Sequence, residues 1–155
     1  MIKTLPCCCL LLLLLSCDYY GKKKYALDPV DKIEMLEADR AFAGMSEQKG
    51  IKQAYLEYID SNGVLLRPSQ IPLLGADAVD YLIQLNDSNY TLKWEPNGGA
   101  VAKSGEMGYT YGIYALKPSA RDTILYGNYV NIWKKQADGK WKVVLNSENE
   151  GIANE

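Results

Sequence analysis

The chain has 155 residues, with 17 basic and 19 acidic side chains and no histidine, which gives a formal net charge of −2 at pH 7. This length suits one domain with a hydrophobic core of its own, and the near balance of charge gives no sign of nucleic-acid binding. The absence of histidine excludes Ser-His-Asp and Cys-His nucleophilic sites and the common zinc sites, so any acid–base chemistry would use carboxylates, tyrosine or lysine.

The first 17 residues predict a secretory signal that ends in a lipidation site. Lys3 gives a basic start, and the apolar run at 5–15 is shorter than the roughly 20 residues of a membrane span. The stretch "LLSC", which ends at Cys17, resembles the bacterial lipobox. That resemblance implies removal of residues 1–16, a lipid on Cys17 and a tether over 17–27; the alternatives are an ordinary signal peptide or a membrane-anchoring helix. We therefore expect a bacterial cell-envelope protein that the lipid anchors on the periplasmic or extracytoplasmic face.

The other three cysteines, at positions 7, 8 and 9, lie within this predicted signal. The predicted mature domain, residues 28–150, therefore holds no disulfide and no thiolate metal ligand. Carboxylates could hold calcium or magnesium, but the sequence has no D-x-[DN]-x-[DN]-G loop. We expect neither a metal site nor a cofactor.

Three helices are predicted in the first half of the domain. Asp28 as N-cap and Pro29 at the first position begin a helix that runs to about Ser46. A stripe at helical spacing predicts a second helix that "DSNG" (60–63) ends, with its apolar face at Ile51, Ala54, Tyr55, Tyr58 and Ile59. After a short strand at 64–68, a third helix is predicted at 75–86, with inward positions Ala78, Val79, Leu82 and Leu85.

Beyond Asn89 the pattern changes to strands. Alternating or β-branched runs lie at 90–96, 100–103, 106–117, 123–135 and 140–148. The turn signals between them are "NGG", "SG", "KPSARD" and "ADG". This spacing predicts an antiparallel sheet of four to six strands after the helices, which is an α+β class.

The order of elements resembles the NTF2-like cone, also called the SnoaL-like or cystatin-like α+β fold. The stretches "LEADRAFA", "YLEYIDSNGVLLRP", "LLGADAVDYL" and "YVNIWKKQADGKWKVVLN" are similar to the DUF4440 family within it. The resemblance implies a curved sheet wrapped around the N-terminal helices, with a ligand pocket open at one end and an outer sheet face that commonly forms a dimer. This superfamily includes isomerases, cyclases, dehydratases and binding modules, so the fold does not fix the function.

Asp39 is the first candidate site residue, and it matches the Asp of the family's first-helix motif. Its neighbours one helical turn away are all apolar: Met35, Leu36, Phe42 and Ala43. Such surroundings raise the pKa of a carboxyl by desolvation, which would suit a general base or a ligand anchor. The alternative is structural: Asp39 hydrogen-bonds a tyrosine or Arg67 and locks the first helix to the sheet.

Arg67 and Asn146 lie where related proteins carry acids. In ketosteroid isomerase, a relative on this scaffold, the catalytic base is an Asp at about the place of Arg67. Arginine instead favours binding of an anionic group, and the alternative is a salt bridge to Asp39 or Asp60. An amide at Asn146 cannot act as a base, which further weakens an enzymatic reading. Glu148 is expected at the rim or in solvent, and Trp141 in the core.

Aromatic residues on the strands predict a lined pocket. Tyr109 and Tyr111 share one face of their strand, Tyr129, Asn131 and Trp133 share one face of the next, and Trp94 lies at the same level. A flat apolar ligand would suit such a wall, although aromatics also pack in sheets without a ligand. The predicted ligand-binding set is Asp39, Tyr55, Arg67, Trp94, Tyr109, Tyr111, Asn131 and Trp133.

Three functions remain open from the sequence. The first is a lipid-tethered module that binds a small apolar or carboxylate-bearing molecule in the cone. The second is an interaction protein whose sheet face forms a homodimer or binds an envelope partner. The third is a lyase or isomerase with Asp39 as base and a tyrosine as acid. A binder should show an open pocket, and an interaction protein a closed cone with a large apolar sheet face.

Overall fold

The computed structural model describes residues 29–151. The expectations for the signal, Cys17, the tether and the Asp28 cap lie outside these residues. The elements in chain order are α1 (Pro29–Lys49), α2 (Ile51–Tyr58), β1 (Ile59–Leu66), β2 (Leu73–Leu74), α3 (Ala76–Gln84), β3 (Tyr90–Val101), β4 (Met107–Pro118), β5 (Leu125–Lys135) and β6 (Trp141–Glu150).

The strands form one six-stranded sheet in the order β2-β1-β6-β5-β4-β3. Neighbouring strands are antiparallel except β1 and β6, which pair in parallel. The three helices pack on the concave face of this curved sheet. The predicted α+β class, with three helices on an antiparallel sheet of four to six strands, is confirmed.

The first helix presents one buried stripe to the sheet. Met35, Asp39, Phe42 and Ser46 follow one another at helical spacing and are all buried. Gly50, with a φ of 88°, then lets the chain reverse into α2 in a conformation that side chains other than glycine rarely adopt. This reversal places α2 against the open end of the sheet, where the cavity described below begins.

One turn prediction was wrong, and one strand begins earlier than predicted. The helix α2 ends just before "DSNG", but this stretch already belongs to β1, which begins at Ile59 and pairs with β6 through an irregular register between Ile59 and Val64. The stretch "NGG" does not separate two strands, since β3 is continuous with a bulge between Pro96 and Gly98. Asn and Gly occur in β-bulges as well as in turns. Glycine is needed at position 99 because a Cβ there would collide with the carbonyl oxygen of Tyr109.

The hydrophobic core lies between the helices and the concave face. Trp133 is fully buried at its centre, and its ring meets those of Phe42 and Tyr58 edge-on at centroid distances of 6.3 and 6.4 Å. All three helices and five of the strands contribute buried residues, so residues 29–151 hold a core of their own. Trp141 belongs to this core, as the sequence indicates. Within the described range, no helix combines the length and apolar character needed to cross a bilayer.

Candidate functional site

A cavity of about 190 Å³ opens between α2, α3 and the concave face of the sheet. Its wall is mainly aromatic and aliphatic, and its polar members are Arg67, Glu148 and Glu150. A narrow extension of about 10 Å³, the size of about one water molecule, adjoins it and shares Tyr55, Tyr114 and Glu148 with it. The extension is also lined by Trp94, Tyr129, Asn131 and Asn146. The two spaces together form a funnel, in which Arg67, Glu148 and Glu150 line the wide part and mainly aromatic and amide side chains line the narrow part.

Arg67 lies at the inner wall of the funnel, just after the end of β1. Its Nη1 donates to the carbonyl of Leu66 at 3.1 Å and to Oδ1 of Asn146 at 2.5 Å, and its Nη2 donates to the hydroxyl of Tyr55 at 3.1 Å. The Tyr55 hydroxyl donates in turn to Oε1 of Glu148 at 2.6 Å, and that oxygen lies 3.7 Å from Nη2. Arg67 therefore pairs with Glu148, and the expected salt bridge to Asp39 or Asp60 is not formed.

Two asparagines continue the polar cluster across the sheet. Asn131 and Asn146 are opposite partners in the β5–β6 ladder, and Nδ2 of Asn146 donates to Oδ1 of Asn131 at 2.8 Å. Nδ2 of Asn131 then donates to Oδ1 of Asp39 at 3.4 Å. Both amides are almost completely buried. A continuous chain of hydrogen bonds thus joins Arg67, at the funnel wall, to Asp39 on α1.

Asp39 is fully buried and accepts three side-chain hydrogen bonds. Besides Asn131, Nε1 of Trp94 donates to Oδ1 at 2.9 Å and the hydroxyl of Tyr129 donates to Oδ2 at 2.9 Å. Burial raises the pKa of Asp39, and the bonds from Trp94 and Tyr129 counteract part of that rise. Asp39 lines neither space of the funnel itself. Its geometry matches the structural alternative, in which the carboxylate fastens α1 to β3 and β5.

Tyr55 and Tyr90, two tyrosines of the funnel wall, stay in their neutral form. Burial, followed by the charge of Glu148, raises the pKa of Tyr55 well above its ordinary value. Burial, followed by the charge of Asp87, raises the pKa of Tyr90 to about 12. At neutral pH these hydroxyls therefore act as hydrogen-bond donors and acceptors rather than as bases. In the part of the chain that the structure describes, no group of three or more acidic side chains is arranged to hold a metal ion.

The structure separates the predicted ligand-binding residues into three groups. Tyr55, Arg67, Trp94 and Asn131 come together at the funnel, with Asp39 directly behind it.

Trp133 lies in the core, where its Nε1 donates to Oγ1 of Thr110 at 2.8 Å. Tyr109 and Tyr111 point to the opposite, outer face of the sheet and are each 47% exposed, so the expectation that they line the cone does not hold. Alternation in a strand shows which residues share a face, but β4 carries apolar residues on both faces and gives no sign of which one is inside.

Several funnel residues were not predicted from the sequence. They are Tyr81, Leu82 and Leu85 from α3, Tyr90 and Leu92 from β3, Tyr114 and Leu116 from β4, and Glu148 and Glu150 from β6. The alternation in β3 could have identified Leu92 and Tyr90, because they lie two and four positions before Trp94 on the same face. Glu148, expected at the rim or in solvent, is instead half-buried against Arg67.

A second, more open groove of about 480 Å³ lies on another side of the molecule, between α1, the end of α2 and the β5–β6 turn. Its charged residues pair locally: Lys142 with Glu57 at 3.9 Å and Lys140 with Asp138 at 3.9 Å. Trp141 lines this groove, but its Nε1 is buried and has no hydrogen-bond partner. The funnel is therefore the better candidate site, because its polar groups converge on one enclosed space.

Comparison with known proteins identifies the fold and nothing narrower. No protein-family model matches the chain, and no curated protein sequence matches it. A ketosteroid isomerase-like protein from Erwinia carotovora atroseptica is similar in structure, with a TM-score of 0.65 and 12% identity over 81% of this chain and 100% of the other. An NTF2-like protein with a cystatin-like fold from Novosphingobium aromaticivorans has a TM-score of 0.61 and 12% identity over 77% and 80%. An NTF2-like protein of unknown function from Prochlorococcus has a TM-score of 0.58 and 16% identity over 79% and 94%.

Proposed function

We propose that this protein is a small-molecule-binding domain and that its ligand occupies the funnel between α2, α3 and the concave sheet. The observation that carries the proposal is a cavity whose aromatic and aliphatic wall includes one cluster of hydrogen-bonded polar groups, which is the usual construction of a ligand site. A dry cavity of about 150 Å³ holds a molecule of the size of benzene. At about 190 Å³, the funnel suits a ligand with one ring and a short polar substituent.

Each part of the polar cluster has a distinct role in this proposal. Tyr55 and Glu148 reach the cavity and would contact the polar end of the ligand, and Arg67, which also lines it, holds both of them in position. Asn131 and Asn146 hold these groups in place from behind through their hydrogen bonds. Asp39 would not touch the ligand, and it would keep the Trp94 indole and the Tyr129 ring at the narrow end of the funnel.

Native mass spectrometry of gently purified protein tests the proposal. Leu116→Trp should fill the cavity, since Leu116 is a half-buried member of its wall. Ile113→Trp adds similar bulk to the outer face of the same strand, where Ile113 is 43% exposed, and serves as the control. We expect a mass excess, lost on denaturation, in the parent and in Ile113→Trp but not in Leu116→Trp. A parent with no excess, or equal excess in all three, would contradict the proposal.

The location of the protein forms a second part of the proposal. The "LLSC" signal supports a lipid on Cys17, removal of residues 1–16 and attachment to a bacterial cell-envelope membrane. Two or more acyl chains hold a protein stably at a bilayer, whereas a single one does not. The sequence stretches quoted above likewise favour membership of the DUF4440 family. Mass analysis of the N-terminal peptide would show whether Cys17 carries the lipid.

A second candidate function rests on the outer face of the sheet. Tyr109 and Tyr111 on β4 stand beside Ile132 and Val130 on β5 in the strand register, and Ile113 extends the row. These residues make an apolar patch, and exposed apolar patches often mark binding surfaces. We propose a second copy of the chain as the partner, since one flat face can meet itself across a two-fold axis. Sedimentation equilibrium would measure the dimer.

The third hypothesis, a lyase or isomerase with Asp39 as its base, has weaker support from the geometry. A general base must lie within hydrogen-bond reach of the proton that it removes. Both oxygens of Asp39 already accept hydrogen bonds. The donors line the funnel, whereas Asp39 does not; they are Trp94, Tyr129 and Asn131. Turnover of a carbonyl substrate with a pH–rate profile that disappears in Asp39→Asn would revive this hypothesis.

A further inference from the structure

The charged groups that line the cavity carry an excess of negative charge. Glu148 and Glu150 contribute two carboxylates, and Arg67 contributes one cation. The guanidinium is also committed to the protein. It donates three hydrogen bonds, to Leu66, Asn146 and Tyr55, and lies beside Glu148. Three of its five N–H groups are therefore used within the protein and Glu148 offsets its charge, so Arg67 attracts an incoming carboxylate less than a free guanidinium would.

The wall of the cavity is rich in tyrosine. Four tyrosines line the cavity: Tyr55, Tyr81, Tyr90 and Tyr114. The faces of aromatic rings carry negative charge density and attract cations, and cages of several rings recognise ammonium groups. Burial raises the pKa of Tyr114, the charges of Glu148 and then Glu150 raise it further, and that of Arg67 lowers it. Tyrosine rings and an excess of negative charge therefore line one small cavity, and the Tyr55 ring already holds one cation, the Arg67 guanidinium, 5.5 Å from its centroid.

We infer that the ligand of the funnel is a small organic cation: an amine or ammonium group on an apolar body of about one ring. The inference rests on the proposed function and names the ligand's chemical class. The ammonium group would lie between Glu148, Glu150 and the tyrosine faces, and the apolar body would replace water along the aliphatic wall. The sequence alone favours an apolar or carboxylate ligand, because Arg67 is visible there and its pairing with Glu148 is not.

Three probes of nearly equal shape test this inference with the full chain in detergent micelles. They are 2-phenylethylamine, which is cationic at pH 7, neutral 2-phenylethanol and anionic 3-phenylpropanoate. Isothermal titration, with micelle blanks subtracted, measures the dissociation constant of each. We expect the amine to bind at least about tenfold more tightly than the carboxylate, with the alcohol between them, because placing like charges together in a partly buried site is costly.

Charge variants identify the source of any preference. Glu148→Gln removes the half-buried negative charge but keeps an oxygen that can accept from Tyr55, so the preference for the amine should fall about tenfold or reverse. Glu150→Gln should reduce it less, because water and salt screen an exposed charge. Glu106→Gln is the matched control, since Glu106 is exposed in the turn before β4, at the end of that strand away from Leu116. This control should leave all three dissociation constants unchanged.

The outcomes separate this inference from the proposed function. Binding of 2-phenylethanol with no preference for the amine, or a preference that Glu106→Gln removes and Glu148→Gln does not, would overturn the cationic ligand and leave the binding domain. Failure of all three probes to bind would overturn both. A preference for the amine that depends on Glu148 supports both.

Discussion

Replacing Asp39 tests the role assigned to the buried carboxylate. Asp39→Leu removes the acceptor for Trp94, Tyr129 and Asn131 and leaves two buried donors and the partly buried Trp94 indole unpaired. Leaving one such donor unpaired costs about 1–3 kcal/mol of stability. The hydrogen bond from Asn131 is long, at 3.4 Å, so its loss should contribute little to the destabilisation. The loss of two strong partners therefore predicts a destabilisation of about 2–6 kcal/mol. That is a large share of the 5–15 kcal/mol typical of a folded domain.

Asp39→Asn should cost less, for a reason visible in the geometry. The amide oxygen can still accept from the Trp94 indole, which only donates, and the amide nitrogen can donate to the Tyr129 hydroxyl, which can also accept. The change turns charge-assisted bonds into neutral ones, but it also removes the desolvation of a buried carboxylate that raises the pKa of Asp39, so the net cost should be within about 1 kcal/mol. The Leu variant should therefore be the least stable of the three.

Urea denaturation at pH 7 measures these differences, and equal m values would show that the unfolded states are comparable. Glu37→Gln on the exposed side of α1 is the control and should stay within about 0.5 kcal/mol of the parent. A Leu variant as stable as the parent, or more stable than the Asn variant, would refute the view that Asp39 fastens α1 to the sheet.

Four further predictions follow from the same contacts. Burial raises the pKa of Asp39, so the stability that this carboxyl contributes is fully present below its unfolded pKa of about 4 and is lost as pH rises through the folded pKa; the unfolding free energy of the parent, relative to that of Asp39→Asn, should therefore fall with rising pH in urea titrations. Arg67→Met leaves Glu148 unpaired and should cost about 2–4 kcal/mol by thermal or urea unfolding, and adding Glu148→Gln should restore part of it. If the outer sheet face forms a dimer, Tyr111→Lys should shift sedimentation equilibrium towards monomer with little change in melting temperature, because Tyr111 is exposed in the single chain. Cys17→Ala should move the protein from the membrane fraction to the soluble fraction, as detected by immunoblot, if the lipid is its anchor.

The class of fold could be predicted from the sequence because its local signals were strong. The helical stripe of α2 and the alternation of β4 and β5 each lie within a few neighbouring residues. The bulge in β3 was missed because "NGG" serves a turn equally well, and only pairing with β4 shows that the strand continues.

The site was predictable only in part. The apolar neighbours of Asp39 indicated that it is buried, but not which donors meet it. Arg67 was visible as a cation, yet its partner Asn146 lies 79 residues away in the chain. Tyr109 and Tyr111 were assigned to the wrong face, since alternation leaves the inner face undefined. The errors at the site thus concern contacts between residues that are far apart in the sequence.

The most direct test of the central claim is to map the binding of 2-phenylethanol on the isotope-labelled protein by NMR chemical shifts. If the funnel is the ligand site, the amide signals of Tyr55, Leu92 and Tyr114 should move in a saturable way, while those of Tyr109 and Tyr111 on the outer face stay unchanged. Saturable shifts confined to the outer face or to the groove beside Trp141, or no saturable shift at all, would contradict the account.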